Sequence, residues 1–164
     1  MRPLHRILLA TVGAALIAAP LASQKPDDQI HPRSVELMRQ GETFLASGKF
    51  VEADDALEAA LTVDPRNRTA FVVMARVAQK QRLFGQAIRF TNKALALEPG
   101  DLDALAVQGE AMVELGAVPR ARDNLAKLQK LCPNGCKQLS TLSAAINRGP
   151  SVASVRAPAT PKTN

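Results

Sequence analysis

The residues most able to do chemistry in this chain are Cys132 and Cys136, which flank the turn-forming run Pro133-Asn134-Gly135. Two thiols at this spacing can close a disulfide, act as a redox pair or supply half of a metal site. A thioredoxin-like pair has two residues between its cysteines and sits beside a βαβ unit; here three residues intervene and nothing suggests strands. Covalent haem attachment needs a His directly after the second Cys, where Lys137 stands. Zinc needs two more ligands, yet there is no third Cys and no His beyond His31. In an exported chain, which the N-terminus indicates, the first reading is a structural disulfide. A bond closing so small a loop contributes only about 2 kcal/mol in the loop-entropy picture. A thiol-redox accessory using Cys132 and Cys136 is the alternative.

No other constellation suggests catalysis. His31 is the only His after the leader and lies in a polar flank, so Ser–His or Cys–His chemistry has no base. The glycines are scattered singly rather than gathered into a phosphate-binding loop. Glu52, Asp54 and Asp55 crowd together, but they do so in the first turns of an expected helix, where negative charge complements the macrodipole. No catalytic residue, metal ligand, cofactor or small-molecule substrate is expected.

The charge balance argues against nucleic acid. Lys and Arg number 21 against 15 Asp and Glu, a formal +6. Five of the positive charges (Arg2, Arg6, Arg148, Arg156 and Lys162) lie in the leader or at and beyond the last expected helix, which leaves +1 for the rest. There is no Trp or Tyr, and the five Phe fall at or near expected core positions, so no aromatic platform for bases is expected.

The N-terminus reads as an export signal. Residues 1–23 have a basic start (Arg2, His5, Arg6) and an apolar run from Ile7 to Ala22 broken only by Thr11, Gly13 and Pro20. That run is short of the roughly 20 residues needed to span a bilayer. Cleavage near Ala22 or Ser23 is expected, which would place the protein in the periplasm or outside the cell. An uncleaved anchor is the alternative, and only then would the membrane be a partner.

The elements that would carry these residues are announced by a spacing. Pro65, Pro99 and Pro133 are 34 residues apart; Ala53, Ala87 and Ala121 precede them by twelve, and Phe50, Phe84 and Val118 by fifteen. Ala and Leu are plentiful while β-branched and aromatic residues are sparse, which favours helix. Each period divides into two apolar-periodic stretches around a turn such as Ser47-Gly48-Lys49 or Leu115-Gly116-Ala117. Ser34, Asn67 and Asp101 stand where helix N-caps belong.

In period and pattern the chain resembles the tetratricopeptide-repeat (TPR) family over residues 34–135. The matching residues are Leu37, Gly41, Phe44, Gly48, Phe50, Ala53, Leu57, Ala60 and Pro65 in the first unit. They are Phe71, Ala75, Phe84, Ala87, Ala94 and Pro99 in the second, and Leu105, Gly109, Gly116, Ala121, Leu125 and Pro133 in the third. Ala78 replaces a usual aromatic, and Gln40, Gln108 and Gln129 stand at customarily apolar positions. The resemblance implies an all-α, right-handed superhelical stack of three helix-turn-helix units: 34–67, 68–101 and 102–135. Residues 1–23 would be the leader and 24–33 a flexible linker. Residues 136–148, with Leu139, Leu142, Ala145 and Ile146 at helical spacing, would cap the stack, and 149–164 would be a disordered tail.

The family binds peptides or partner helices on the concave face made by the first helix of each unit. Transferred position by position, that groove comprises Val35, Met38, Glu42 and Leu45, then Thr69, Val72, Arg76, Gln79 and Lys80, then Asp103, Ala106, Glu110 and Val113. The carboxylate clamp of one TPR subclass is not matched: Met38, Glu42, Val73, Asp103 and Val107 occupy its positions. The expected function is that of a non-catalytic envelope scaffold holding another protein or a peptide.

Overall fold

The structure, a computed structural model, describes residues 29–151. The expected leader, residues 24–28 and the tail from 152 onwards lie outside the described residues. Among the described residues seven helices follow one another: α1 (Pro32–Ala46), α2 (Phe50–Val63), α3 (Arg68–Lys80), α4 (Phe84–Leu97), α5 (Leu102–Glu114), α6 (Val118–Leu131) and α7 (Lys137–Arg148). The fold is all-α. Helices α1/α2, α3/α4 and α5/α6 form three helix-turn-helix pairs, and α7 packs on α5 and α6.

Local chemistry sets where the helices begin. Asn67 Oδ1 accepts from the Ala70 amide at 3.2 Å and Asp101 Oδ1 from the Ala104 amide at 2.8 Å, capping α3 and α5. The first helix departs from expectation. His31, not Ser34, is its cap, with Nδ1 accepting from the Arg33 amide at 3.1 Å. Pro32 occupies the first helical position, where its fixed φ suits the helix and its missing N–H costs nothing. The helix therefore takes in the last two residues of the segment read as a linker. Ser34 is fully buried inside α1; its hydroxyl donates to the Ala60 carbonyl at 2.7 Å and accepts from Asn67 Nδ2 at 2.9 Å. One hydroxyl thus joins α1 to the end of α2 and the cap of α3.

The turns within the pairs share one closure. The amides of Lys49, Leu83 and Ala117 donate to the carbonyls five residues back, Phe44, Ala78 and Met112, at 2.8–2.9 Å. This bond needs a left-handed residue just before it. Gly48 and Gly116 supply it in the first and third pairs, while Arg82 adopts φ 63° in the second.

The core runs lengthwise through the stack. Alanines 53, 60, 70, 75, 87, 94, 104, 111 and 121 are completely buried and let helices approach closely, with Leu57, Leu105, Leu128 and Leu142 filling the wider gaps. All five Phe are half-buried against this core. Leu142 seats α7 in the notch left by Gly109: a Cβ there would lie 2.6 Å from Leu142 Cδ1.

One part of the interior is polar. Gln108 is buried, with Nε2 donating to Asn92 Oδ1 at 2.7 Å and Thr91 Oγ1 at 3.3 Å, while its Oε1 accepts from Asn124 Nδ2 at 2.9 Å. Asn124 Nδ2 also donates to the Leu105 carbonyl at 3.1 Å, so this network ties α5 to both α4 and α6. The Gln at a customarily apolar position is accommodated because its neighbours satisfy it.

After α7, Gly149 at φ 73° turns the chain back. The Ser151 amide and hydroxyl both donate to Glu114 Oε2, at 3.0 and 2.7 Å. Residues 149–151, read as the start of a disordered tail, are thus held against the end of α5.

Candidate functional site

Helices α3, α5 and α7, with Leu45 from α1, enclose an open cavity of about 590 Å³. Its walls alternate charge and short apolar side chains. From α3 come Arg76, Gln79 and Lys80; from α5, Asp103, Ala106, Val107 and Glu110; from α7, Lys137, Gln138 and Thr141. Residues 76, 79 and 80, and 103, 106, 107 and 110, recur at three- and four-residue steps, so each set faces one way.

Cross-helix bonds order this face. Arg76 Nη2 donates to Asp103 Oδ1 at 2.8 Å, and Gln138 Nε2 donates to the same oxygen at 3.2 Å, so a single carboxylate joins α3, α5 and α7. Gln79 Nε2 donates to the Val107 carbonyl at 3.0 Å, a second tie between α3 and α5. Burial pushes the Glu110 carboxyl above its ordinary value; a hydrogen bond from Gln79 and the charges of Arg76, Arg148 and Lys80 oppose that rise. Lys80 and Lys137 are exposed at the rim. A smaller hollow of about 190 Å³ shares Gln79, Lys80 and Glu110 with this cavity and is completed by Phe84, Glu114 and Arg148.

Seven of the expected groove residues meet in the cavity: Leu45, Arg76, Gln79, Lys80, Asp103, Ala106 and Glu110. Three others lie elsewhere. Met38, Val72 and Val113 pack into the core clusters and do not line the cavity, whereas Ala106 and Val107, buried to a similar degree, do. Val35, Glu42 and Thr69 lie outside the cavity; Val35 packs against the first core cluster and Glu42 is exposed on α1. The reading from sequence missed Lys137, Gln138 and Thr141, and placed Val107 only at a position of the unmatched carboxylate clamp. The α7 residues belong to a segment read only as a cap, and nothing in a local pattern places its polar side against α5.

Cys132 and Cys136 are joined in a disulfide, with Cα atoms 6.0 Å apart. Both are half-buried. A separate hollow of about 410 Å³ opens between α2, α3 and α4, lined by Leu61, Phe71, Met74 and Phe90 among others, with the Lys93 ammonium 5.4 Å from the Phe71 ring centre. Among the described residues no group of three His, Cys, Asp or Glu side chains is placed to hold a metal ion, and no helix is long and apolar enough to cross a membrane.

No protein-family model matches the sequence. Solved structures of TPR domains do match the fold. The first TPR of Spaghetti (RPAP3), bound to an HSP90 peptide, is similar at TM-score 0.63 and 24% identity, over 70% of this chain and 96% of that one. The TPR2B domain of yeast Sti1, in a complex with pHsp70, is similar at TM-score 0.64 and 17% identity, over 71% of this chain and 97% of that one. A Thermobaculum terrenum O-GlcNAc transferase mutant is similar at TM-score 0.63 and 23% identity over 70% of this chain, a match that spans 22% of that longer chain. At these identities the likeness is one of fold, and the fold is that of TPR domains.

Proposed function

We propose that this protein is a non-catalytic scaffold or adaptor that holds a segment of another protein in the cavity formed by α3, α5 and α7. The observation that carries this reading is the cavity itself. It is open, adjoined by the hollow beside Phe84, and edged by Lys80, Glu110 and Lys137, with Leu45 and Ala106 as apolar floor. A site of this form suits an extended peptide or the face of a helix, which offer alternating polar and apolar contacts along their length. Two of the similar TPR domains are described with a bound HSP90 peptide and in a pHsp70 complex, which supports the same use of the fold here. With the leader read in residues 1–23, the proposed location is the periplasm or the exterior, and the proposed partner a component of the cell envelope.

The test is photo-crosslinking in cells from a reactive side chain at Lys80, with Arg89 on α4 as control; both are exposed helical positions and only Lys80 lines the cavity. Capture of one discrete protein at position 80 and not at 89 supports the scaffold reading. Equal capture at both positions, or none at 80, counts against it. Mixed disulfides through Cys132 or Cys136 as the sole capture would favour a thiol-redox accessory. The mass of the purified protein's N-terminus decides between a cleaved leader and a retained membrane anchor.

A further inference from the structure

The three linkers between helix pairs occupy equivalent places in the 34-residue period, and the third is built differently. Asp64, Glu98 and Cys132 are the C-cap residues of α2, α4 and α6, each 34 residues from the next. All three linkers share a backbone turn: the amides of Asn67, Asp101 and Gly135 donate to the carbonyls of Asp64, Glu98 and Cys132 at 2.9–3.1 Å. In the first two, the C-cap carboxylate also accepts the amide two residues on, from Arg66 at 3.0 Å and Gly100 at 3.2 Å. The helix that follows is then capped by a side chain, Asn67 or Asp101.

The third linker lacks both devices. Its C-cap is Cys132, with no carboxylate, and the N-cap of α7 is Cys136, whose side chain caps nothing. The disulfide joins these two caps directly. Among the described residues α7 is the one helix following such a linker whose start carries a covalent bond in place of a side-chain capping hydrogen bond, worth about 1 kcal/mol. Its second half is held independently: Leu142 and Ala145 are buried and Leu142 fills the Gly109 notch. Lys137, Gln138 and Thr141, in the first turns after the disulfide, wall the cavity, and Gln138 completes the Arg76–Asp103 cluster.

We propose that the Cys132–Cys136 disulfide is a redox gate on the groove: oxidised, it holds the first turns of α7 as a wall of the cavity; reduced, it lets those turns fray and withdraws Lys137, Gln138 and Thr141. The gating of a partner rests on the groove reading above. Reduction takes two electrons and two protons from an external dithiol. One thiolate of the donor attacks a cysteine sulfur to give a mixed disulfide; its second thiol displaces that sulfur, leaving the donor oxidised and both cysteines as thiols. The half-buried sulfurs and the exposed Pro133-Asn134-Gly135 turn leave a path for such a donor.

Amide hydrogen exchange on the full chain, oxidised and after dithiothreitol, tests this without any partner. The Ser140 amide makes the first bond of α7, to the Cys136 carbonyl at 3.2 Å, so amides from Ser140 to Ser143 are the reporters. Reduction is expected to speed their exchange about tenfold and leave α1 to α4 within about twofold, the pattern of local opening. The Cys132→Ala/Cys136→Ala variant, which removes the bond without offering α7 a capping hydroxyl, should match the reduced protein in both respects. Unchanged exchange in α7 overturns the gate. Equal acceleration in every helix also overturns it, because the bond would then be a global staple. Failure to capture a partner at Lys80 would remove the groove reading and leave this result standing; unchanged α7 exchange would do the reverse.

Discussion

The Asp64 carboxylate ties the first linker to the start of α1. It accepts from the His31 amide at 2.9 Å, from the Arg66 amide at 3.0 Å and from the Arg66 guanidinium at 3.1 and 3.2 Å. The Arg66 side chain, then the His31 amide, hold its carboxyl down at about 2, against an ordinary 3.8. A carboxyl depressed in the folded state adds stability that is complete above its unfolded value and lost as pH falls through the folded one. The denaturant midpoint should therefore decline as pH falls from 3.8 towards 2. Asp64→Asn should be less stable than wild type at neutral pH and show a shallower decline in that window. A variant with the wild-type acid slope would place the titration elsewhere. Pro65 beside it is plain in the sequence because prolines repeat; the role of Asp64 is not, because its partners include His31, 33 residues away.

At the scale of elements, the close approach of α1 and α2 rests on Gly41. A Cβ there would lie 2.6 Å from Leu57 Cγ, and Leu57 is fully buried. Alanine favours helix over glycine by up to about 1 kcal/mol, whereas overpacking a closed core costs about 1–3 kcal/mol. Gly41→Ala should therefore be destabilising on balance, with Tm lowered by several degrees; a raised Tm would show that α1 and α2 can separate cheaply. The small residue itself is legible in the sequence as part of the repeat. The turn of the second pair is not: Arg82 fills the left-handed position that Gly48 and Gly116 hold elsewhere, so the usual glycine signal is missing. There the shared backbone closure, from the Leu83 amide to the Ala78 carbonyl at 2.8 Å, imposes the conformation.

For the whole molecule, α7 is both the end of the stack and a wall of its cavity. Without it, Gly109 and the buried faces of Leu105 and Leu128 lose their cover. A chain ending at Leu131 should lose its cooperative melt or self-associate, as seen by size-exclusion chromatography with light scattering. A monomeric 1–131 chain melting at the wild-type temperature would mean the cap is dispensable. The same helix also ties Gln138 to the Asp103 carboxylate that Arg76 already holds, so its loss should open the cavity as well as the core.

The period of 34, the helical character of its halves and the caps at Asn67 and Asp101 are properties of the sequence alone, because each depends on residues adjacent or one turn apart. So is the nearness of Cys132 to Cys136. What the tertiary structure decided is which side of each helix remains open. Val72 and Val113 lie on helices that do line the groove, yet close packing of alanine-rich helices sealed them inside. Lys137, Gln138 and Thr141 became groove residues only because Leu142 seats in the Gly109 notch of α5 and Gln138, one turn earlier, reaches Asp103. Periodicity states that a helix has two faces; the contacts of its neighbours determine how much of each is covered.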